Sequence, residues 1–540
     1  MNGLTGTARL TRLGLQRDRI SLPVWIVGLA GLTAAMTGMS ANGLRSEPDL
    51  LQETQLMATN PAMRLLGLAS GASIGGYTLI RGYLTLAVLA ALMSIFAVVR
   101  HTRQGEETGR AELVGAAVVG RHAGLTAALV LTLGANVGLA IAIGLAMSAT
   151  GQPVGGSFVA GAAVSAVGVA FAGFAAITTQ LSSSTRGASG LAAAMLGLSF
   201  LASGVGNMAG HVDASGVRVV SAWPAWLSPI GWGQQMRPFG GDHWWPLALF
   251  ALLFSASVGL ASYLAAHRDI GQGLLAQRRG RVHASATLRG PIGLAWRLQR
   301  STLLAWAVAM LGFGLVLGAI IGQVTELGGA AAEWYSRMGG SDQIVDAFRA
   351  SMMQMAGMAA AIYVVQVLLR MRGDESGGQL EPVLAASVSR PRWVLSYLTN
   401  AGLGASGLLL LFALGMGLTA GGVLGDTAGE LRVLAAAALV QLPGILVLGA
   451  AVVLATGLLP RAAGTLAWGL LAAAILTGPL FGDTLRLPQW VKDFSPFTHV
   501  PKVPAVPLTT APVLALVGVA ATFVAVGLVR LRRRNLALPV

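Results

Sequence analysis

Apolar stretches long enough to cross a lipid bilayer recur along this chain about a dozen times, and they constrain its fold more than any other feature. A hydrocarbon core of about 30 Å takes about 20 residues of helix, and inside it a backbone N–H or C=O finds no partner outside its own segment. Such stretches therefore become α-helices. They lie near 21–39, 79–99, 123–148, 157–180, 188–209 and 244–266, then near 301–322, 351–369, 394–420, 433–457, 464–482 and 511–529. A barrel of short alternating strands does not fit uninterrupted runs of this kind. Hydrophobic residues make up 54% of the chain and charged residues 11%, whereas soluble domains carry about a quarter charged. The expected fold is an all-α polytopic membrane protein with about twelve transmembrane helices.

The formal net charge of +15 would fit a nucleic-acid binder, but the location of the charges argues otherwise. Of the 36 Lys and Arg residues, 25 fall on the same side of the membrane as the N-terminus, the bias expected of cytoplasmic segments. They include Arg9, Arg12, Arg17 and Arg19, then Arg278, Arg279 and Arg281, and Arg530, Arg532, Arg533 and Arg534. Both termini are expected in the cytoplasm and the protein in a bacterial cell membrane, with lipids as neighbours and no nucleic acid as partner. The absence of cysteine excludes disulfides, thiolate metal sites and a cysteine nucleophile. The run from Ser21 to Met39 has the length of a span and many spans follow it, so it reads as a retained first helix rather than a cleaved signal.

The two halves read as tandem copies of one unit, 1–280 and 281–540. Leu15-Gln16-Arg17 leads to Trp25 as Leu298-Gln299-Arg300 leads to Trp306. Glu106-Glu107-Thr108-Gly109 parallels Asp374-Glu375-Ser376-Gly377, and Glu112 and Arg121 recur as Glu381 and Arg390. Further on, Arg186 and Ala188 match Arg461 and Ala463, and Trp223, Ser228 and Pro229 match Trp490, Ser495 and Pro496. Six spans per copy is an even number, so both copies are expected to enter the membrane in the same sense.

Chemistry is sparse. A P-loop needs Gly-Lys followed by Ser or Thr, yet the chain's lysines are Lys492, before Asp493, and Lys502, before Val503. The chain itself is expected to be no enzyme, with no catalytic residue, no metal site and no cofactor. None of the 21 acids falls within the expected spans, although proton-driven carriers place titratable groups there. The alternative, a proton-coupled twelve-helix secondary drug antiporter, also lacks its Gly-x-x-x-Asp-Arg-x-Gly-Arg-Arg signature between Arg100 and His122. The histidines are scattered, with no His-Glu-x-x-His pair.

The stretch Arg103-Gln104-Gly105-Glu106-Glu107-Thr108-Gly109-Arg110-Ala111-Glu112-Leu113, with its copy from Arg372 to Pro382, resembles the first cytoplasmic loop of ABC-2 type exporter permeases. The run from Trp226 to Trp232 matches an outer segment of the fused, double-length actinobacterial members, often described as polyketide-antibiotic or tetronasin-type exporters. The resemblance implies a type V ABC exporter-like fold of two six-helix units, each with a lead-in amphipathic helix and a re-entrant outer segment. It implies export of hydrophobic or amphipathic compounds, powered by ATP and Mg bound to two copies of a separate ABC ATPase. The loops 100–122 and 370–392 would couple to that ATPase through Glu106, Glu107, Glu112, Arg121, Asp374, Glu375, Glu381 and Arg390, with Glu112 and Glu381 facing it. A proline common before the loop's last arginine is replaced here by Val118 and Ser387, which leaves the end of each coupling helix open. By the same analogy Tyr83, Phe96, Asn207, Gln354, Met355, Tyr363 and Trp468 would border the substrate pathway. Met352, Met355 and Met358 recur at helical spacing, a pattern more often core than ligand surface.

Single cysteines in this thiol-free background test the topology. Introduced at Ser46, Ser215 or Thr484, they should react with impermeant reagents in intact cells, and at Thr108, Ser285 or Ser376 they should not. Labelling of both Thr108 and Ser376 positions would reverse the orientation.

Overall fold

The computed structural model describes residues 3–44, 46–269, 271–275, 285, 288–324, 344–479 and 487–534. Thr484 and the connector arginines Arg278, Arg279 and Arg281 lie outside them. The chain divides into two compact units, Met1–Arg279 and Gly280–Val540. Among the described residues regular structure is helical, apart from the two-residue antiparallel strands β1 (His211–Val212) and β2 (Val219–Val220).

Unit 1 runs α1 (Thr7–Arg17), α2 (Ser21–Gly43), α3 (Glu47–Thr59), α4 (Pro61–Leu66), α5 (Ile74–His101), α6 (Arg103–Glu107), α7 (Arg110–Gly115), α8 (Ala123–Ala149), α9 (Val154–Leu181), α10 (Thr185–Met208), α11 (Pro229–Gln235) and α12 (Pro246–Ala266). Helix starts follow the sequence: Ser73 and Ser184 accept hydrogen bonds from the backbone N–H of Gly76 and Gly187, capping α5 and α10. α9 is the hub, packed against α5, α8, α10 and α12. Its Val164, Val167 and Phe171 meet Leu86, Ala90 and Val98 of α5 and Leu139 and Ile143 of α8 in one apolar core.

Unit 2 runs α13 (Pro291–Ala319), α14 (Ile321–Val324), α15 (Ile344–Ser376), α16 (Leu380–Ala385), α17 (Arg390–Leu424), α18 (Thr427–Val440), α19 (Leu442–Leu458), α20 (Ala463–Thr477), α21 (Gln489–Lys492) and α22 (Thr510–Arg533). α15 and α17 supply its core, where Phe348, Met353 and Met371 pack with Phe412, Met416 and Val453. Met352 and Met358 are buried in that core and Met355 packs against it, so the methionine stripe is core packing.

Eleven helices among the described residues are long and apolar enough to cross a membrane, with the two segments of 427–458 counted as one. The expected span near 464–482 is α20, whose 15 residues rise about 22 Å, less than the hydrocarbon thickness. The spans also run past their expected ends. Asp346, Asp374 and Glu375 therefore lie on α15 and Glu430 on α18, so the expectation of acid-free spans holds only for their middles. These acids are matched by arginine: Arg349 Nη1 lies 2.5 Å from Asp346 and also pairs with Glu430. A separate lead-in helix is present in unit 1 as α1, whereas in unit 2 the lead-in residues continue straight into the span as α13.

The repeat is legible in individual bonds. Ser228 Oγ donates to the carbonyl of Ser199 at 2.6 Å, and its match Ser495 donates to the carbonyl of Ala474 at 2.7 Å. Both serines are fully buried just before a proline that starts the next helical turn.

Lipid is as apolar as leucine, so helices in it associate through close packing rather than through release of water. Small residues supply the closeness here. A Cβ at Gly161 of α9 would lie 2.2 Å from the carbonyl oxygen of Ala140 on α8, and one at Gly318 of α13 would lie 2.2 Å from that of Met416 on α17. Gly161→Val should lower the melting temperature in detergent, at a cost of about 2–3 kcal/mol. Gly134→Val, where a Cβ meets nothing within 4 Å, should leave it nearly unchanged.

Candidate functional site

In unit 1 the loop between α5 and α8 folds as two short helices broken at Gly109, whose φ of +73° suits glycine. Arg103 opens α6 and is fully buried, because its guanidinium donates to the carbonyls of Thr179, at the end of α9, and Gln272. Glu106 sits one turn on. Its carboxylate accepts from Arg103 at 2.6 Å, from both terminal nitrogens of Arg268 at 2.5 and 2.9 Å, and from the Gly271 N–H at 3.2 Å. Arg268 follows the last span, α12, so this one acid ties the loop to the ends of α9 and α12. Glu107 accepts from the N–H of Thr185 at the positive end of α10. Arg121 donates to the carbonyls of Ala265 and Arg268, closing the C-terminal end of α12.

Unit 2 builds the same clamp from different local structure. α15 runs unbroken to Ser376, and the chain turns at Gly378, φ +72°, into α16. Asp374 and Glu375 thus occupy a helix C-terminus, where the macrodipole disfavours anions. Nearby cations offset this: Arg534, just past α22, grips Glu375 with two bonds of 2.6 and 2.7 Å, and Arg372 lies 3.9 Å away. Asp374 accepts from the buried Tyr397 hydroxyl and lies 3.8 Å from Arg370. Arg390 donates to the carbonyls of Leu531 and Arg534, as Arg121 does at α12.

These bonds correct the sequence register. The sequence match set Glu106 beside Asp374, but Glu106 corresponds to Glu375: each follows an arginine by three residues, and each binds the arginine just beyond the last span of its unit. Glu375 is only 2% exposed, and Glu106, Asp374 and Glu375 each bond within their own unit. Glu112 on α7 and Glu381 on α16 are different. Both are exposed and carry no side-chain bond among the described residues. Each short helix ends without proline, at Ala116 and Ala386, and Ser387 then adopts a left-handed φ of 61°.

Asp18, between α1 and α2, was not singled out by the sequence. It is buried, 2.6 Å from Arg100 and 2.7 Å from His101, and so fixes the lead-in helix to the end of α5. Burial alone would raise its carboxyl pKa, but the hydrogen bonds and charges of His101 and Arg100 together hold it below the usual range. Its only sequence signal was an acid within a basic lead-in.

The pathway candidates lie in varied settings within their own units. Tyr83 and Asn207 both hold α11, Tyr83 by donating to the Ile230 carbonyl at 3.1 Å and Asn207 by donating to Gln234 at 2.8 Å. Tyr363 is buried against Trp306, and Gln354 is buried with both amide atoms unpaired among the described residues. Met355 borders the unit 2 core, while Phe96 and Trp468 are each 45% exposed on outer faces.

With this geometry in hand, two similarities bear on function. The family model described as the C-terminal domain of the multidrug efflux system permease Rv1217c matches residues 288–532, nearly all of unit 2. Across its whole length the chain is 37% identical to the multidrug efflux system permease protein Rv1217c of Mycobacterium tuberculosis, an alignment covering 99% of this chain and 96% of that one.

The clamp and the exposed acids should separate on mutation. Glu106→Gln with Glu375→Gln strands Arg268 and Arg534 and should cost about 3 kcal/mol of stability, read as a lower melting temperature in detergent. Glu112→Gln with Glu381→Gln should change it by less than about 0.5 kcal/mol.

Proposed function

The chain belongs to the family of the multidrug efflux system permease Rv1217c, and from that premise we propose that it is the membrane subunit of an ABC-2 type exporter of the fused, polyketide-antibiotic or tetronasin-like kind. It moves hydrophobic or amphipathic compounds, drug-like or lipid-like, out of a bacterial cell. Both termini are cytoplasmic, and two copies of a separate ABC ATPase supply the ATP and Mg.

The observation that carries it is the pair Glu112 and Glu381. Each is the acid left outward on a short helix whose neighbouring acids are locked into its own unit. An ATPase groove that holds α7 or α16 pulls on a rigid lever. Displacement passes through Glu106–Arg268 to α12 and through Arg103 to α9, and in unit 2 through Glu375–Arg534 to α22. Neither lysine of the chain stands before Ser or Thr, in keeping with ATP hydrolysis on another subunit. The acids of α15 and α18 pair with arginines, which gives no support to a proton-coupled antiporter.

The purified chain should co-purify with a P-loop ATPase and hydrolyse no ATP alone. Glu112→Ala with Glu381→Ala should leave folding and insertion intact but reduce transport and ATPase stimulation roughly tenfold or more, because a charge stranded at a docked interface costs several kcal/mol. Each single change should be milder, and Asp49→Ala, at an exposed position of α3, should have no effect. A double variant that transports normally with its ATPase bound sinks the coupling assignment.

A further inference from the structure

Unit 2 contains a cavity of about 1070 Å³ at the N-terminal ends of α13 and α17. Its walls carry Arg297 and Arg300 of α13 and Arg392 of α17, together with the apolar Ile292, Trp296 and Leu395. All six are exposed. Among the described residues no carboxylate pairs with any of the three arginines. Two helix starts also open here: α13 begins at Gly290 and α17 at Ser389, and neither has a side-chain cap. Positive charge and two helix starts without side-chain caps therefore converge beside an apolar wall.

Unit 1 shows what this place lacks. There Leu15-Gln16-Arg17 is followed by Asp18, which pairs with Arg100 and His101, whereas Leu298-Gln299-Arg300 is followed by Ser301. At the start of α8, the matching helix, the carbonyls of Gly3 and Thr5 accept from the N–H groups of His122 and Gly120, so the chain's own N-terminal residues cover that end. Among the described residues, unit 2 places no carboxylate beside these three arginines and no side-chain cap on either helix start.

We propose that this cavity binds the headgroup of an anionic phospholipid. The phosphate lies among Arg297, Arg300, Arg392 and the two helix starts, and the acyl chains lie along Ile292, Trp296 and Leu395. Basic pockets between spans select such headgroups, and a tryptophan at headgroup depth suits the boundary. The apolar wall is what favours a lipid over a free phosphate, which would leave Ile292, Trp296 and Leu395 without a role.

Native mass spectrometry of the full chain released from detergent tests this, with phosphatidylglycerol, phosphatidylcholine and inorganic phosphate as probes. Phosphatidylglycerol should be retained in preference to phosphatidylcholine and should raise the melting temperature, with phosphate giving little. Arg297→Gln, Arg300→Gln and Arg392→Gln together should weaken retention roughly a hundredfold, about a factor of five for each arginine. The corresponding lysine triple should retain most of it. Arg9→Gln, Arg12→Gln and Arg19→Gln, an equal loss of exposed charge in unit 1, should not weaken it. If both glutamine triples lose lipid equally, the effect is general juxtamembrane charge and the site is refuted. Stabilisation by phosphate to the same degree refutes the lipid. So does a unit 2 glutamine triple that keeps the lipid but releases a co-purified ATPase, which would make the cavity a protein dock. Should that triple misfold, the single Arg392→Gln decides, with unchanged retention overturning the proposal.

Discussion

Hydrocarbon offers a peptide group nothing to bond, and that constraint stands behind the rest of this structure. It forces each apolar stretch to close its own hydrogen bonds as a helix. It also removes the hydrophobic drive that would hold helices together in water, so association depends on how closely two backbones approach. Gly161 against Ala140, Gly318 against Met416 and Gly457 against Gly527 are places where only a missing side chain permits the observed contact. The glycines at these sites are structural residues of the helix interfaces.

The same constraint drives charge to the ends of the spans, where it organises the loops. An ion pair that is partly withdrawn from water holds firmly only when its remaining bonds are satisfied. Glu106 and Glu375 meet that condition with two arginines each. The two units reach the clamp by different routes: one breaks the helix at the loop and caps it anew, while the other extends the span and carries two acids on its C-terminal turn. What is preserved between the repeats is the bond, together with the capping of the last span by Arg121 or Arg390. Freed of that structural duty, Glu112 and Glu381 remain as the outward acids of their helices.

The asymmetry between the units lies at their lead-in helices. Asp18 stands between α1 and α2 and pairs with Arg100 and His101, whereas Ser301 stands within the unbroken α13.

The class of fold, the repeat and the exposed pair Glu112 and Glu381 were legible in the sequence, because length, hydropathy and the recurrence of a loop are local properties that burial in lipid translates directly into structure. Which acids turn inward was not. Glu106 finds Arg268 at a separation of 162 residues, Glu375 finds Arg534 at 159, and Asp18 finds Arg100 at 82, and no local pattern encodes such pairings. The match of Glu106 to Asp374 slipped by one residue, although the matches of Glu112 to Glu381 and of Arg121 to Arg390 share the separation that sets Glu106 on Glu375. Tyr83 and Asn207, chosen by analogy as pathway residues, are held by α11 through bonds that likewise appear only once the chain is folded. The sequence by itself determined that this protein is helical and crosses the membrane many times. Tertiary structure alone decided which charges hold each unit together and which stand free, because the state of a charge depends on what lies within a few ångströms of it in space.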